Sequence, residues 1–216
     1  MARTGEGTEG RSPVQATADR GYPLAEEDEL RARGYSLLAR LTAAAPDADL
    51  LARLGRLAGD GSVLGLALDE LAAAARGMAP EALEQEYHDL FIGLGQGELN
   101  PYGSYYLTGF LYERPLARLR ADMARLGIAR QRQVKEPEDH IAALCEMMTG
   151  LITGAFARAP APLVEQRGFF DAHLASWAPR FFADLEAAST ARFYRPVGRF
   201  GRLFMEIEQK AFAMAA

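Results

Sequence analysis

Three carboxylates and an imidazole stand together in Glu136-Pro137-Glu138-Asp139-His140, directly ahead of the apolar run Ile141 to Ile152. Such groups can take bidentate hydrogen bonds from guanidinium, orient a peptide backbone, or bind a metal. Glu136 and His140 are four residues apart and could share one helix side, with Asp139 close by. A zinc or iron site would want a further His or Cys, and spacing nominates none. His88 and His173 are distant in sequence, so only the fold could deliver them. Hydrolysis through Cys145 is weaker still: His140 is five residues away, a poor match to one helix face, and no oxyanion device is visible. No catalytic residue and no cofactor is therefore assigned. The pattern points to a charged recognition corner beside a groove.

The elements that position this corner can be read from periodicity. Pro137 suits the first position of a helix, where its missing donor costs nothing. The spacing predicts the longest helix of the chain from there to about Phe156, with Ile141, Leu144, Cys145, Met148, Leu151 and Ile152 facing inward. Glu138 and Asp139 then fall in its first turn, where negative charge contributes roughly 0.3–1 kcal/mol each. Capping alone would account for either acid. The functional alternative uses the same geometry, with Glu136, Asp139 and His140 as a polar rim where a helix end meets a groove.

Upstream, Tyr102, Tyr105, Tyr106, Phe110 and Tyr112 form an aromatic cluster that cannot occupy a single helix stripe. Some of these rings are expected to pack a junction and others to line a groove, because aromatics bury much area with little loss of rotamer freedom. Asn100-Pro101 and Ser104 can supply the turn or cap that starts this segment. Phe169, Phe170, Trp177, Phe181 and Phe182 read as core, with His173 and Trp177 expected to stack one turn apart.

The remaining chain reads as helix after helix. Residues 1–22 lack periodicity and are expected to form a disordered tail. Helices are predicted from Glu26 to Pro46, from Asp47 to Leu57, from Ser62 to Arg76, and from Pro80 through Phe91. Further ones follow at Pro115–Leu126, Leu163–Ser176, Pro179–Ala187 and Val197–Ala213. The glycines at 93, 95 and 97 mark a sharp connection, without the strand context or Lys-Ser/Thr ending of a phosphate-binding loop. The fold class is all-α. Residues 23–216 form one helical domain, with sub-lobes at about 23–127 and 136–216 joined by a basic polar loop.

Charge and composition set outer limits. A net charge of −5 argues against a general nucleic-acid binder and is compatible with a basic peptide partner. The single cysteine excludes an internal disulfide. No apolar signal segment or membrane-length run appears, so the cytoplasm is the expected location.

With these positions in view, the chain resembles the TorD/DmsD family of redox-enzyme maturation chaperones through most of residues 30–212. The likeness is carried by Glu86-Tyr-His-Asp-Leu-Phe-Ile-Gly-Leu-Gly95, Asn100-Pro-Tyr-Gly-Ser-Tyr-Tyr106 and Glu136-Pro-Glu-Asp-His140. Phe169-Phe-Asp-Ala-His173, Trp177 and Phe181 add to it. The resemblance implies a two-lobed helical fold and a cytoplasmic chaperone. Its partner would be the catalytic subunit of a molybdenum- or tungsten-cofactor oxidoreductase, held through a twin-arginine leader until cofactor insertion. Tyr102, Ser104, Tyr106, Glu136, Pro137, Asp139 and His140 would be the client-binding residues. Gly103 departs from the family pattern, which often has an acid there. Alternatives are an assembly chaperone for a leaderless or membrane-bound oxidoreductase subunit, and a small metal-dependent hydrolase. Monomer and domain-swapped dimer both stay open.

Overall fold

Local sequence chemistry sets most of the helix ends. The structure is a computed structural model and describes residues 24–93, 97–130, 136–157 and 159–215. The expected tail at 1–22 lies outside them, as do 94–96 of the Gly-rich connection and 131–135 of the basic loop.

Ten helices follow in chain order among the described residues: α1 (Glu26–Ala43), α2 (Ala48–Leu54), α3 (Val63–Arg76), α4 (Pro80–Phe91), α5 (Gly103–Thr108), α6 (Arg114–Arg125), α7 (Ile141–Thr153), α8 (Leu163–His173), α9 (Ala178–Ala187) and α10 (Tyr194–Met214). Four acids, Glu26 to Glu29, occupy the first turn of α1, where the free amides favour them. Asp47 caps α2 by accepting from the Leu50 amide at 2.7 Å, and Ser62 caps α3 by accepting from Gly65 at 3.0 Å. Pro80 and Pro115 stand in the opening turns of α4 and α6. Gly154, at φ 79°, ends α7 in the left-handed conformation that glycine adopts without a side-chain clash.

Helices from both parts of the chain share one core. α1 packs against α7, and α10 packs against α9, α3 and α1. Tyr35, Leu38, Leu83, Leu144, Met148, Phe170, Trp177, Phe181, Phe182 and Tyr194 are among the side chains that fill it. The α9–α10 contact is close because Gly198 lies on the α9 backbone: a Cβ there would come within 2.3 Å of the Glu186 nitrogen.

Two buried acids tie this core together. Glu208 of α10 accepts from Arg31 Nε at 2.8 Å, from Arg31 Nη2 at 3.0 Å and from the Tyr35 hydroxyl at 3.0 Å. Glu86 of α4 accepts from the amides of Arg192, Phe193 and Tyr194 at 2.8, 3.2 and 2.8 Å. It thereby engages three backbone donors at the start of α10, two of which, at Phe193 and Tyr194, are buried.

Three expectations need correction. α7 begins at Ile141, four residues later than Pro137 suggests, and stops at Thr153 rather than near Phe156. The Pro101 carbonyl takes the Ile141 amide at 2.8 Å, while Pro137–His140 closes a turn through His140 N–H to Pro137 O at 3.2 Å. Glu138 and Asp139 therefore precede the helix and do not lie in its first turn. The longest helix among the described residues is α10, with 21 residues. His173 stacks on Phe169, at 4.9 Å between centroids, rather than on Trp177. The Trp177 indole N–H instead donates to the His173 carbonyl at 2.7 Å.

Candidate functional site

The two motif segments meet backbone to backbone. Tyr102 and His140 form an isolated antiparallel bridge, flanked by Gly103 N–H to Asp139 O at 2.9 Å and Ile141 N–H to Pro101 O at 2.8 Å. Local sequence could not arrange this, because the partners lie more than thirty residues apart. The bridge orients five of the anticipated side chains.

Asp139 turns inward. Its Oδ2 accepts from the Ser104 amide at 2.7 Å, which caps the start of α5 from outside that helix. Asp139 Oδ1 and Ser104 Oγ are buried and have no partner among the described residues. Gly103 packs beneath the Trp177 indole, where a Cβ would meet Nε1 at 3.1 Å. That contact is a physical reason for glycine where an acid was anticipated: a larger residue must displace the core tryptophan.

His140 is almost wholly buried. Its Nδ1 accepts from the Ala142 amide at 3.1 Å, so the ring is the N-cap of α7. Burial pulls its pKa down to about 4, against the opposing pull of Glu136 and Asp139. The ring is therefore neutral at pH 7, with one nitrogen already engaged, and it meets Tyr102 edge to face at 5.1 Å.

The Tyr102 hydroxyl donates to Glu136, whose carboxylate is otherwise exposed. Burial, followed by the Glu136 bond, pushes the Tyr102 phenol well above its ordinary range. Glu138 is buried and paired: Arg120 donates to it through Nε at 3.0 Å and Nη2 at 2.8 Å, with Arg130 at 3.5 Å. Burial would raise its pKa, but the Arg120 guanidinium holds it below the usual carboxylate range. Tyr106 stands apart. Its hydroxyl donates to Asp184 at 2.9 Å, and its ring packs on Trp177 and Phe181.

A cleft of about 670 Å³ opens beside this corner. Tyr87, Phe91 and Ile92 from the end of α4 form part of its wall, with Met123 of α6 and Ile128 just after that helix. Ala143, Glu146, Met147 and Gly150 form the α7 side, and Phe156 lies across Gly150. Of the anticipated residues, Tyr102, Glu136, Pro137 and His140 line the cleft, whereas Ser104, Asp139 and Tyr106 do not. Sequence reasoning missed Glu146. The available signal was its isolation, since it is the only charged residue in α7.

The arrangement suits binding. Among the described residues, no three His, Cys, Asp or Glu side chains gather into a group able to hold a metal ion. The Cys145 thiol is buried, and burial raises its pKa far from a reactive thiolate. No helix among the described residues is long and apolar enough to cross a membrane.

Comparison with known proteins adds the family. Residues 59–183, more than half the chain, match the family described as nitrate reductase delta subunit. The curated relatives include the chaperone protein TorD of Aliivibrio salmonicida, 29% identical over 61% of this chain and 64% of that protein. TorD of Vibrio atlanticus is 26% identical over 72% of this chain and 78% of the relative. The chain belongs to the TorD family. The match to the Aliivibrio TorD spans just under two thirds of that relative's length. TorD proteins are named as chaperones and not as catalysts. The TorD-type fold also matches a solved structure from Archaeoglobus fulgidus described as a redox enzyme maturation protein. Its TM-score is 0.56 at 21% identity, covering 88% of this chain and 99% of the other.

Proposed function

We propose that this chain is a redox-enzyme maturation chaperone whose cleft receives the twin-arginine leader of a molybdenum- or tungsten-cofactor oxidoreductase. One observation carries the reading. An apolar cleft of about 670 Å³, walled by Tyr87, Phe91, Met123 and Met147, has Tyr102 and the exposed acid Glu136 along its lining. A twin-arginine leader pairs two guanidinium groups with an apolar stretch, and the cleft complements both halves. Charge would guide the encounter, and buried apolar area would supply most of the affinity. Bound in this way, the client waits in the cytoplasm until its cofactor is inserted and export becomes safe.

The seven residues first assigned to client contact divide in this reading. Tyr102, Glu136, Pro137 and His140 would touch the leader. Ser104, Asp139 and Tyr106 would hold the wall in shape from behind. Calorimetric titration with a synthetic peptide of two adjacent arginines and a short apolar run tests it. Replacing both arginines by glutamine should weaken binding by roughly tenfold or more. Equal affinity for the two peptides would sink leader recognition by charge.

A second reading takes support from the family description itself, nitrate reductase delta subunit. Here the client is a leaderless or membrane-bound oxidoreductase subunit, recognised through its mature chain. Co-purification with candidate clients that carry or lack their leaders separates the two: retention without a leader favours the second.

A further inference from the structure

One charged group in the cleft has no role in the motif corner. Glu146 lies on the second turn of α7, about 7.5 Å along the axis from Ile141. It lines the cleft together with Ala143, Met147 and Gly150. No donor or cation pairs with its carboxylate among the described residues, and burial raises its pKa. The other two cleft acids differ from it. Glu138 is neutralised by Arg120 and Arg130, and Glu136 accepts the Tyr102 hydroxyl. Its side chain is exposed to the cleft, so both carboxylate oxygens can accept from an incoming group. Alanine or methionine would pack as well on this face.

We propose that Glu146 is a second anionic anchor, set farther along the cleft than Glu136, that pairs with one guanidinium of the client segment and fixes its register. The inference rests on the cleft being the seat of that segment. Two acids separated along one wall can each take one basic side chain, whereas a single acid at the mouth would let the segment slide. A guanidinium can meet such a carboxylate with two parallel hydrogen bonds, which fixes its orientation as well as its position.

The test is a double-mutant cycle between Glu146→Gln and the synthetic Arg-Arg peptide, with each arginine replaced in turn by uncharged citrulline. In the wild-type protein, E146Q should raise the Kd about tenfold, and citrulline at one particular arginine should do the same. Combined, those two changes should still give about tenfold rather than a hundredfold. E146Q should melt no lower than the wild type, since it removes an unpaired charge. Binding within twofold of wild type, or losses that multiply at both arginines, would overturn the anchor while leaving the leader reading intact. A variant that melts lower and weakens every peptide equally would assign Glu146 a structural role and also overturn it. If the wild-type protein binds neither the Arg-Arg peptide nor its glutamine form, both readings fall together.

Discussion

Glu86 and Glu208 lie deep among the helices with both oxygens of each carboxylate engaged, whereas among the described residues Glu136 accepts a single side-chain hydrogen bond, from Tyr102, and Glu146 accepts none. The first pair spends its charge on the protein's own donors and fixes where α4, α1 and α10 meet. The second pair leaves acceptor capacity unused beside apolar walls. Asp139 belongs with the first group despite its motif, because it caps α5 and lies outside the cleft. What separates an acid that builds the fold from one that faces the cleft is where the chain turns its side chain, which residue type does not reveal.

Glu86→Ala tests the building half most severely. It leaves the Arg192, Phe193 and Tyr194 amides, the last two buried, without this acceptor, and we expect a loss of about 3–5 kcal/mol in denaturant-induced unfolding. A loss below about 1 kcal/mol would mean that water reaches those donors.

His140 extends the contrast to pH. Its pKa is about 4 in the fold against 6.5 when unperturbed, so between these values the unfolded chain binds more protons. The stability of its neutral form is complete above pH 6.5 and is lost as pH falls toward 4, with a slope of up to about 1.4 kcal/mol per pH unit. His173, whose pKa is also lowered by burial against the pull of Asp122, adds to the same limb. The share lost in His140→Asn isolates the His140 part. A slope unchanged by that substitution would remove His140 from the account.

Asp139→Ala should cost about 1–2 kcal/mol as a lost cap, with the weakened binding following from a disordered α5. Asp139→Asn keeps an acceptor, and is expected to retain both stability and peptide affinity. A stable Asp139→Asn protein that no longer binds the Arg-Arg peptide would move Asp139 into the binding group. Gly103→Ala comes next, at about 1 kcal/mol, as the Trp177 ring shifts to admit a Cβ. A melting temperature unchanged by this substitution would show that the indole has room.

Smallest of all, Glu136→Gln should alter stability by less than about 0.5 kcal/mol, since its side chain is exposed. Its effect should appear instead as weaker peptide binding with a shallower salt dependence.

The helices and most of their ends could be read from the chain because their causes are local. Asp47, Ser62 and Pro80 announce helix starts through chemistry contained in a few residues, whereas the stop at Gly154 was placed too late, near Phe156. The start of α7 escaped that logic. Pro137 carries the local signal, but the Pro101 carbonyl, brought across by the Tyr102–His140 bridge, sets the true boundary at Ile141. The site divided in the same way. Motif residues were visible by type, yet Asp139 could not be seen to point inward, nor Glu146 toward the cleft, because neither orientation is encoded nearby.

The Tyr102–His140 bridge makes two distant stretches depend on each other for their shape. A donor sequence grafted at 100–106 would arrive with its carbonyl and tyrosine but without the matching turn at 136–140, and neither half can dock alone. Any attempt to retarget this scaffold must therefore exchange both stretches as one unit, together with the tryptophan beneath them.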